Sequence, residues 1–515
     1  SVLPSEVPSQ IPSQVPSSEP SLTPSEIPSN VPSVLPSEVP SQIPSQVPSS
    51  EPSLTPSEIP SNVPSVLPSE VPSQIPSQVP SSEPSLTPSV IPSNIPSNIP
   101  STAPSSLPSL IPSLIPSLEP SVVPSVAPSE QPSTANWNQK GPTVVGDAAG
   151  DQLGRSVSIS FDGSVVAVGA PYNNAGTGQV RVYEWIDPNW SLRGAPIVGD
   201  SSGDSFGQKN SLSSDGTILA IAAPYNAGGG TQRGRVRVYE WNTVSWIQRG
   251  ADMDGDADND RSGEAISLSP DGNRVAIGAP NQNLGLGHVR LYEWSDPNWN
   301  QMGLDIDGQE SGEEFGRSVS LSYDGSILAA GAPYNTGGGS SRGHVQVHEW
   351  NAVSWNQKGG DMNGVADFDD SGSSVSLSWD GLTVAVGAPY NDGGGTDSGH
   401  VRVYEYTASW NPKGLDLDGY APDDNLGFSV SMSSDGNKLA VGAPYNDVGG
   451  TDAGRVFVFA WSGSAWNPVA SAIDGVAAFD NCGSSVALSS DGTTVAAGSP
   501  YSGANSGRVR VFHQY

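Results

Sequence analysis

The sequence predicts an all-β protein: a seven-bladed β-propeller closed by an N-terminal outer strand and preceded by a Ser-Pro tract that is disordered or polyproline-II. Three observations predict it. An Asp-Gly pair recurs at Asp162, Asp215, Asp271, Asp324, Asp380, Asp435 and Asp491, at intervals of 53 to 56 residues. Each interval carries four strand-like runs, and the two ends of the array complement each other. Four antiparallel strands in 50-odd residues is the period of a propeller blade.

Residues 1–134 form the first segment. From Pro4 to Pro132 a proline occupies every fourth position, each followed by Ser, and the tract holds ten Glu but no Lys or Arg before Lys140. Residues 1–32 recur unchanged at 33–64 and again at 65–96 with changes only at Val90 and Ile95. This spacing excludes helix, because each proline removes a donor and clashes with the preceding turn, and it strips one face of any strand of its ladder bonds. Extended at ~3.1 Å per residue, the tract would reach roughly 400 Å. It reads as a stalk, with Ser as an acceptor for sugar or phosphate.

Residues 135–515 form the array. Its first run alternates, as in "SVSLS" at 318–322, and the Asp-Gly turn that follows marks a hairpin. The second run is "VAVGAPY" at 384–390, whose Pro ends the strand and whose Gly and Ala let a neighbouring sheet pack closely. The third is "VRVYEW" at 236–241, and the fourth starts at a Trp, as in "WNQKGGDMNG" at 355–364. The chain stops after the third run of the seventh repeat, and an unpartnered fourth run opens the array at Trp137. Pairing the two closes the ring and removes an exposed edge. Twelve of the thirteen Trp fall at the end of the third run or the start of the fourth, which predicts packing of the outer strands.

Phe206-Gly207 and Phe315-Gly316, followed about fifteen residues on by "GAP" at Gly331–Pro333, Gly387–Pro389 and Gly442–Pro444, resemble the FG-GAP repeat of integrin-α-type propellers. At the Phe position Leu153, Ser262, Ser371, Leu426 and Cys482 depart from the pattern. The resemblance implies an extracellular protein that works by adhesion and ligand binding, with calcium as a frequent cofactor. That family's calcium loop lies between the first and second strands. Here that connection is only a short Ser-x-Asp-Gly turn, so its ligands do not carry over. The Ser-Pro tract is similar to those of predicted secreted proteins of diatoms.

In an antiparallel blade the connections alternate between the two faces of the disc, so loops 2–3 and 4–1 share one face. Loop 2–3 is the Gly-rich centre of segments such as "APYNDGGGTDSGHVRVYEY" at 388–406, whose ends repeat while the middle varies. Variable loops on a rigid frame are where recognition usually sits. Loop 4–1 is acidic, and "DMDGDADND" makes Asp252, Asp254, Asp256, Asp258 and Asp260 the candidate calcium ligands. His288, His344 and His400 occupy one repeat slot that elsewhere holds Gln or Arg, which predicts structural or surface hydrogen bonding rather than one shared zinc site.

A formal charge of −32 disfavours nucleic acid and anionic lipid. The lone Cys482 reads as a small buried hydrophobe, and no run is long enough to insert in a membrane. No catalytic motif emerges, so no enzyme activity is expected. The expected function is that of a monomeric extracellular, cell-surface or cell-wall binding protein for a matrix protein or polysaccharide. The alternative is a structural wall or mineral-associated protein acting through a modified Ser-Pro tract.

Overall fold

The computed structural model describes residues 136–514, and the expectations for residues 1–134 lie outside them. The described chain forms seven five-stranded antiparallel sheets. The fifth blade is representative: Ser374–Leu377, Thr383–Ala388, His400–Tyr406 and Trp410–Pro412 follow in order. A two-residue strand, Leu417–Asp418, then returns to the third strand. It continues the fourth strand past a bulge. Tyr404 faces Pro412 while Val401 faces Leu417, so the outer strand carries two extra residues between these pairs.

The innermost strands form a closed ring, with Ser156–Ile159 touching both Lys209–Leu212 and Ser485–Leu488. Their alternation meets two demands at once. The apolar second and fourth positions, such as Val375 and Leu377, are buried between blades. The serines satisfy backbone groups that the blade's own ladder leaves over. Ser211, Ser267, Ser320, Ser376 and Ser431 each accept the amide of the next blade's first strand at 2.9 to 3.1 Å. Without them these inner edges would be unpaired. Ser156, Ser318, Ser374, Ser429 and Ser485 donate to the carbonyl of the next blade's FG glycine.

That glycine lies against the GAP glycine of the preceding blade. A Cβ on Gly331 would stand 2.1 Å from the carbonyl oxygen of Gly372, and one on Gly387 would be as close to that of Gly427. The second blade differs on both sides of this joint, with Ala222 opposite Lys209 where five blades pair Gly with Ser and the third pairs Gly278 with Ala265. The FG residue itself bridges to the glycine before the preceding blade's third strand, as Phe206 does to Gly178 and Cys482 to Gly454. Cys482 is fully buried among Val456, Val486 and Leu488 from two blades. Each core cluster thus lies between neighbouring sheets, as the apolar faces of two twisted sheets require.

A second joint holds the rim. In six blades a Trp that opens the fourth strand donates its Nε1 hydrogen to a carbonyl of the preceding blade at 2.7 to 2.9 Å, from Trp190 to Lys140 through Trp466 to Lys413. It packs on the aromatic ring that ends the third strand, with centroids 5.2 to 5.5 Å apart. In five of these joints a Lys or Arg of the preceding blade covers the latter ring at 4.6 to 5.7 Å. The tryptophans are therefore joints between blades.

The ring closes as the sequence predicts. Asn138–Gln139 and Val144–Val145 pair with Arg508–His513, and Leu153 bridges Gly507. The Asp-Gly turns work through the aspartate: Asp162 accepts from Ser160 Oγ at 2.8 Å and from the Ser164 amide at 3.0 Å, while Gly163 takes φ +65°.

A methyl group at the inner joint must displace backbone, so Gly331→Ala is expected to cost about 1–3 kcal/mol and to lower the melting temperature of the propeller. An unchanged melting curve would contradict this packing.

Candidate functional site

Loops 2–3 and 4–1 do share a face. Gly255 donates to the Gly234 carbonyl, Asn259 to that of Thr231 and Ser262 to that of Arg233, so the two loops of a blade are laced together. The five aspartates singled out in the sequence are not brought to one point. Asp252 and Asp254 flank the Arg235 guanidinium at 3.0 and 2.6 Å, and Asp252 also pairs with Arg237. Asp256 pairs with Arg290 of the next blade, and Asp258 with Arg233. Asp260 is buried and accepts the Ala257 amide. The segment does not fit a shared calcium site, because its carboxylates are held apart by arginines and a backbone amide. The Ser-x-Asp-Gly turns do not fit one either, since their aspartates are spent on the turn.

Asp260 belongs to a repeated set. Asp151, Asp204, Asp260, Glu313, Asp369, Asp424 and Asp480 are each 5% exposed or less. Each accepts a backbone amide of its own loop 4–1. One acid per blade is therefore scaffold, which separates it from the acids that face solvent.

The element that the sequence reading missed stands at the mouth of the central channel on this face. Six blades place a Tyr in the turn two residues past the second strand, after the GAP proline: Tyr172, Tyr225, Tyr334, Tyr390, Tyr445 and Tyr501, with Asn281 in the third. Tyr172, Tyr334, Tyr390 and Tyr445 are 39 to 42% exposed, enough to offer ring faces to a ligand. They meet residues that lead into an innermost strand, of the next blade for Tyr501 and of its own blade for Tyr445. Tyr501 lies 3.5 Å from Arg155, and Tyr445 sets its ring edge-on to Phe428. Tyr172 and Tyr225 border a 540 Å³ depression together with Ala175, Gly176, Ser205 and Gln232.

Charge around this ring is uneven although the backbone is not. The residue after the FG glycine is Arg155, Gln208, Glu264, Arg317, Ser373, Phe428 or Ser484 in turn. Lys209 starts the second blade's innermost strand, where five blades have Ser. It is reached by solvent through the channel yet crowded by protein, which pushes its ammonium down to about 8; Glu264 opposes this shift, and Arg155 and Arg317 add to it. Arg317 donates to Glu264 Oε1 at 3.2 Å, while Glu264 Oε2 has no hydrogen-bond partner among the described residues. Arg261 covers the Tyr225 ring at 5.2 Å. Blades one to four thus place four cations among aromatic faces, a combination that suits a ring-shaped ligand bearing an anionic group.

Toward blade five acid gathers. Burial pushes Asp370 up to about 7, reinforced by Asp369, Glu314 and Asp397. Its slot is left-handed in every blade, with Gln152, Ser205, Arg261, Glu314, Asp370, Asn425 and Asn481 at φ between +52° and +55°. Because all seven share it, this conformation belongs to the fold and not to one site. The signal for the mouth was present in the sequence as the Tyr after each GAP and as the residue after each FG glycine, compared blade by blade.

Asp370→Asn tests the environment of the mouth, since Asn already occupies that slot in two blades. An acid with a raised folded pKa binds more protons folded than unfolded, so the native chain loses stability from pH 4 to 7. The variant is expected to melt higher than the native chain at pH 8, with the difference closing toward pH 4. Equal melting temperatures at pH 8 would contradict the assignment.

The comparisons with known proteins bear on the repeat. Residues 417–459 match the family model described as FG-GAP repeat. They run from the last strand of the fifth blade through the inner joint and GAP turn of the sixth to Phe459 in its third strand. No curated protein matches the chain. Among the described residues no helix is long and apolar enough to cross a membrane. The sixth blade is thus an FG-GAP repeat, set in a seven-bladed β-propeller whose other blades repeat its element order.

Proposed function

We propose that the protein is an extracellular binding protein that engages a matrix polysaccharide or matrix protein through the face of loops 2–3 and 4–1, taking an acidic group of that ligand at the channel mouth. The observation that carries this reading is the ring of six tyrosines with Arg155, Lys209, Arg261 and Arg317 gathered on one side of it. FG-GAP propellers commonly serve in adhesion and binding, and such repeats are typical of extracellular proteins.

The local chemistry explains how a chain of net charge −32 would hold an anion. Long-range repulsion is screened beyond ~8–10 Å at physiological salt, whereas a carboxylate at the mouth lies among cations already partly stripped of water. Tyrosine faces stack on the apolar face of a sugar ring or an aromatic side chain. Arg155 and Arg317 offer forked donors for a carboxylate.

Retention of the full chain on an immobilised polyuronate tests the reading. Tyr334→Ala with Tyr390→Ala, and separately Arg155→Gln with Arg317→Gln, are expected to weaken retention about tenfold each, ~1.4 kcal/mol per pair. Full retention by both folded variants, or no retention of the native chain, would overturn this site.

A further inference from the structure

The histidine slot at the start of the third strand holds an arrangement that the binding face does not use. His288 faces Asp307 in register, and Asp305 lies two residues before Asp307 on the same side of its strand. His400 faces Asp418 in the same way, with Asp416 two residues earlier. In each group one ligand atom per residue lies within 4.8 Å of the others. Both histidines are 3% exposed, which leaves the structural and not the surface alternative of the two expected from the sequence. The Nδ1 atom of His288 has no hydrogen-bond partner among the described residues and stands 3.8 Å from Asp305 Oδ2, too far for a hydrogen bond.

The other blades show what this position requires. In the second blade Arg235 fills the slot, and its guanidinium lies between Asp252 and Asp254. In the sixth, Arg455 reaches Asp474 at 2.6 Å. The first blade pairs Gln179 with the uncharged Val198. Two carboxylates flank the slot's Arg in the second blade alone; the sixth offers Asp474, and the seventh sets Arg508 opposite Val145. Blades three and five keep the two carboxylates and supply an imidazole instead. A neutral imidazole in this slot offers a ring-nitrogen lone pair.

We propose that His288–Asp305–Asp307 and His400–Asp416–Asp418 are two sites for a borderline divalent transition-metal ion such as zinc. One imidazole with two carboxylates is a ligand set for such ions, whereas calcium takes oxygen alone. Asp305 is held by Arg290 at 3.0 and 2.8 Å, and Asp416 by Arg402 at 2.9 and 2.6 Å. These bonds orient each carboxylate and leave it outward lone pairs, as supporting groups do in metal sites. Asp307 is exposed and Asp418 half-buried. The fourth blade has His344 and Asp361 but Asn363 in place of the second acid, and is not a third site.

Equilibrium dialysis of metal-free full chain against zinc chloride tests this. Two tight equivalents are expected above any weak binding. His288→Gln with His400→Gln, which places the first blade's own residue in both slots, is expected to remove both equivalents. Asp307→Asn with Asp418→Asn, the fourth blade's residue, should weaken them at least tenfold, and His344→Gln should change nothing. The second pair retains every buried group, so it reads the site even if the histidine variant folds poorly. Native chain without tight zinc, or undiminished stoichiometry and affinity in the aspartate variant, would overturn the proposal.

Discussion

The approach of one blade's GAP glycine to the next blade's FG glycine carbonyl is the constraint on which the rest of the structure depends. At 2.1 Å from a built Cβ to the Gly372 oxygen, the Gly331 joint admits no side chain in ordinary geometry, and five further joints are alike, the exception being Ala222 against Gly263. Blades therefore meet backbone to backbone at the inner radius. The serines of the innermost strand then lie within reach of the neighbour's amides and carbonyls. Farther out the wedge between sheets widens, and Val, Leu and finally the Trp pairs fill it. The same small-inside, large-outside taper repeats around the disc and lets a single joint type close the ring, including the joint made by Leu153 with Gly507.

A frame fixed in this way turns function into a matter of slots. Because the backbone at the channel mouth repeats in all seven blades, a change such as Ser to Lys209 or Ser373 to Arg317 alters chemistry without altering shape. The asymmetry of charge around the mouth is thus built from substitutions at equivalent positions. In the histidine slot the second, third and fifth blades likewise differ only in whether two carboxylates meet a guanidinium or an imidazole from that position. The buried acid of each loop 4–1 marks the opposite case. It recurs because the loop's own amides need an acceptor.

Period, blade count, strand order and closure were legible in the sequence because each rests on local signals: alternation, an Asp-Gly turn, and proline at the strand end. The sharing of one face by loops 2–3 and 4–1 followed from antiparallel topology alone. The two-residue fifth strand was not legible. It is separated from the fourth by a bulge containing Gly414, whose φ of +92° lets Trp461 lie against it. The calcium reading of Asp252 to Asp260 failed to converge because spacing along a loop does not reveal that Arg235 and Arg237 project from the adjoining strand between the acids. The tyrosine ring was hidden by its regularity. A residue repeated with the frame looked like frame, although Tyr390 is 42% exposed.

The central claim is that recognition occurs at the channel mouth and not at the acidic rim. Hydroxyl-radical footprinting of the full chain, with and without a soluble polyuronate, tests it most directly. Protection of Tyr172, Tyr334, Tyr390 and Tyr445, with the rim segment 252–260 unprotected, is the predicted result. Protection confined to that rim, or no change at any of the four tyrosines while the polymer is bound, would contradict it.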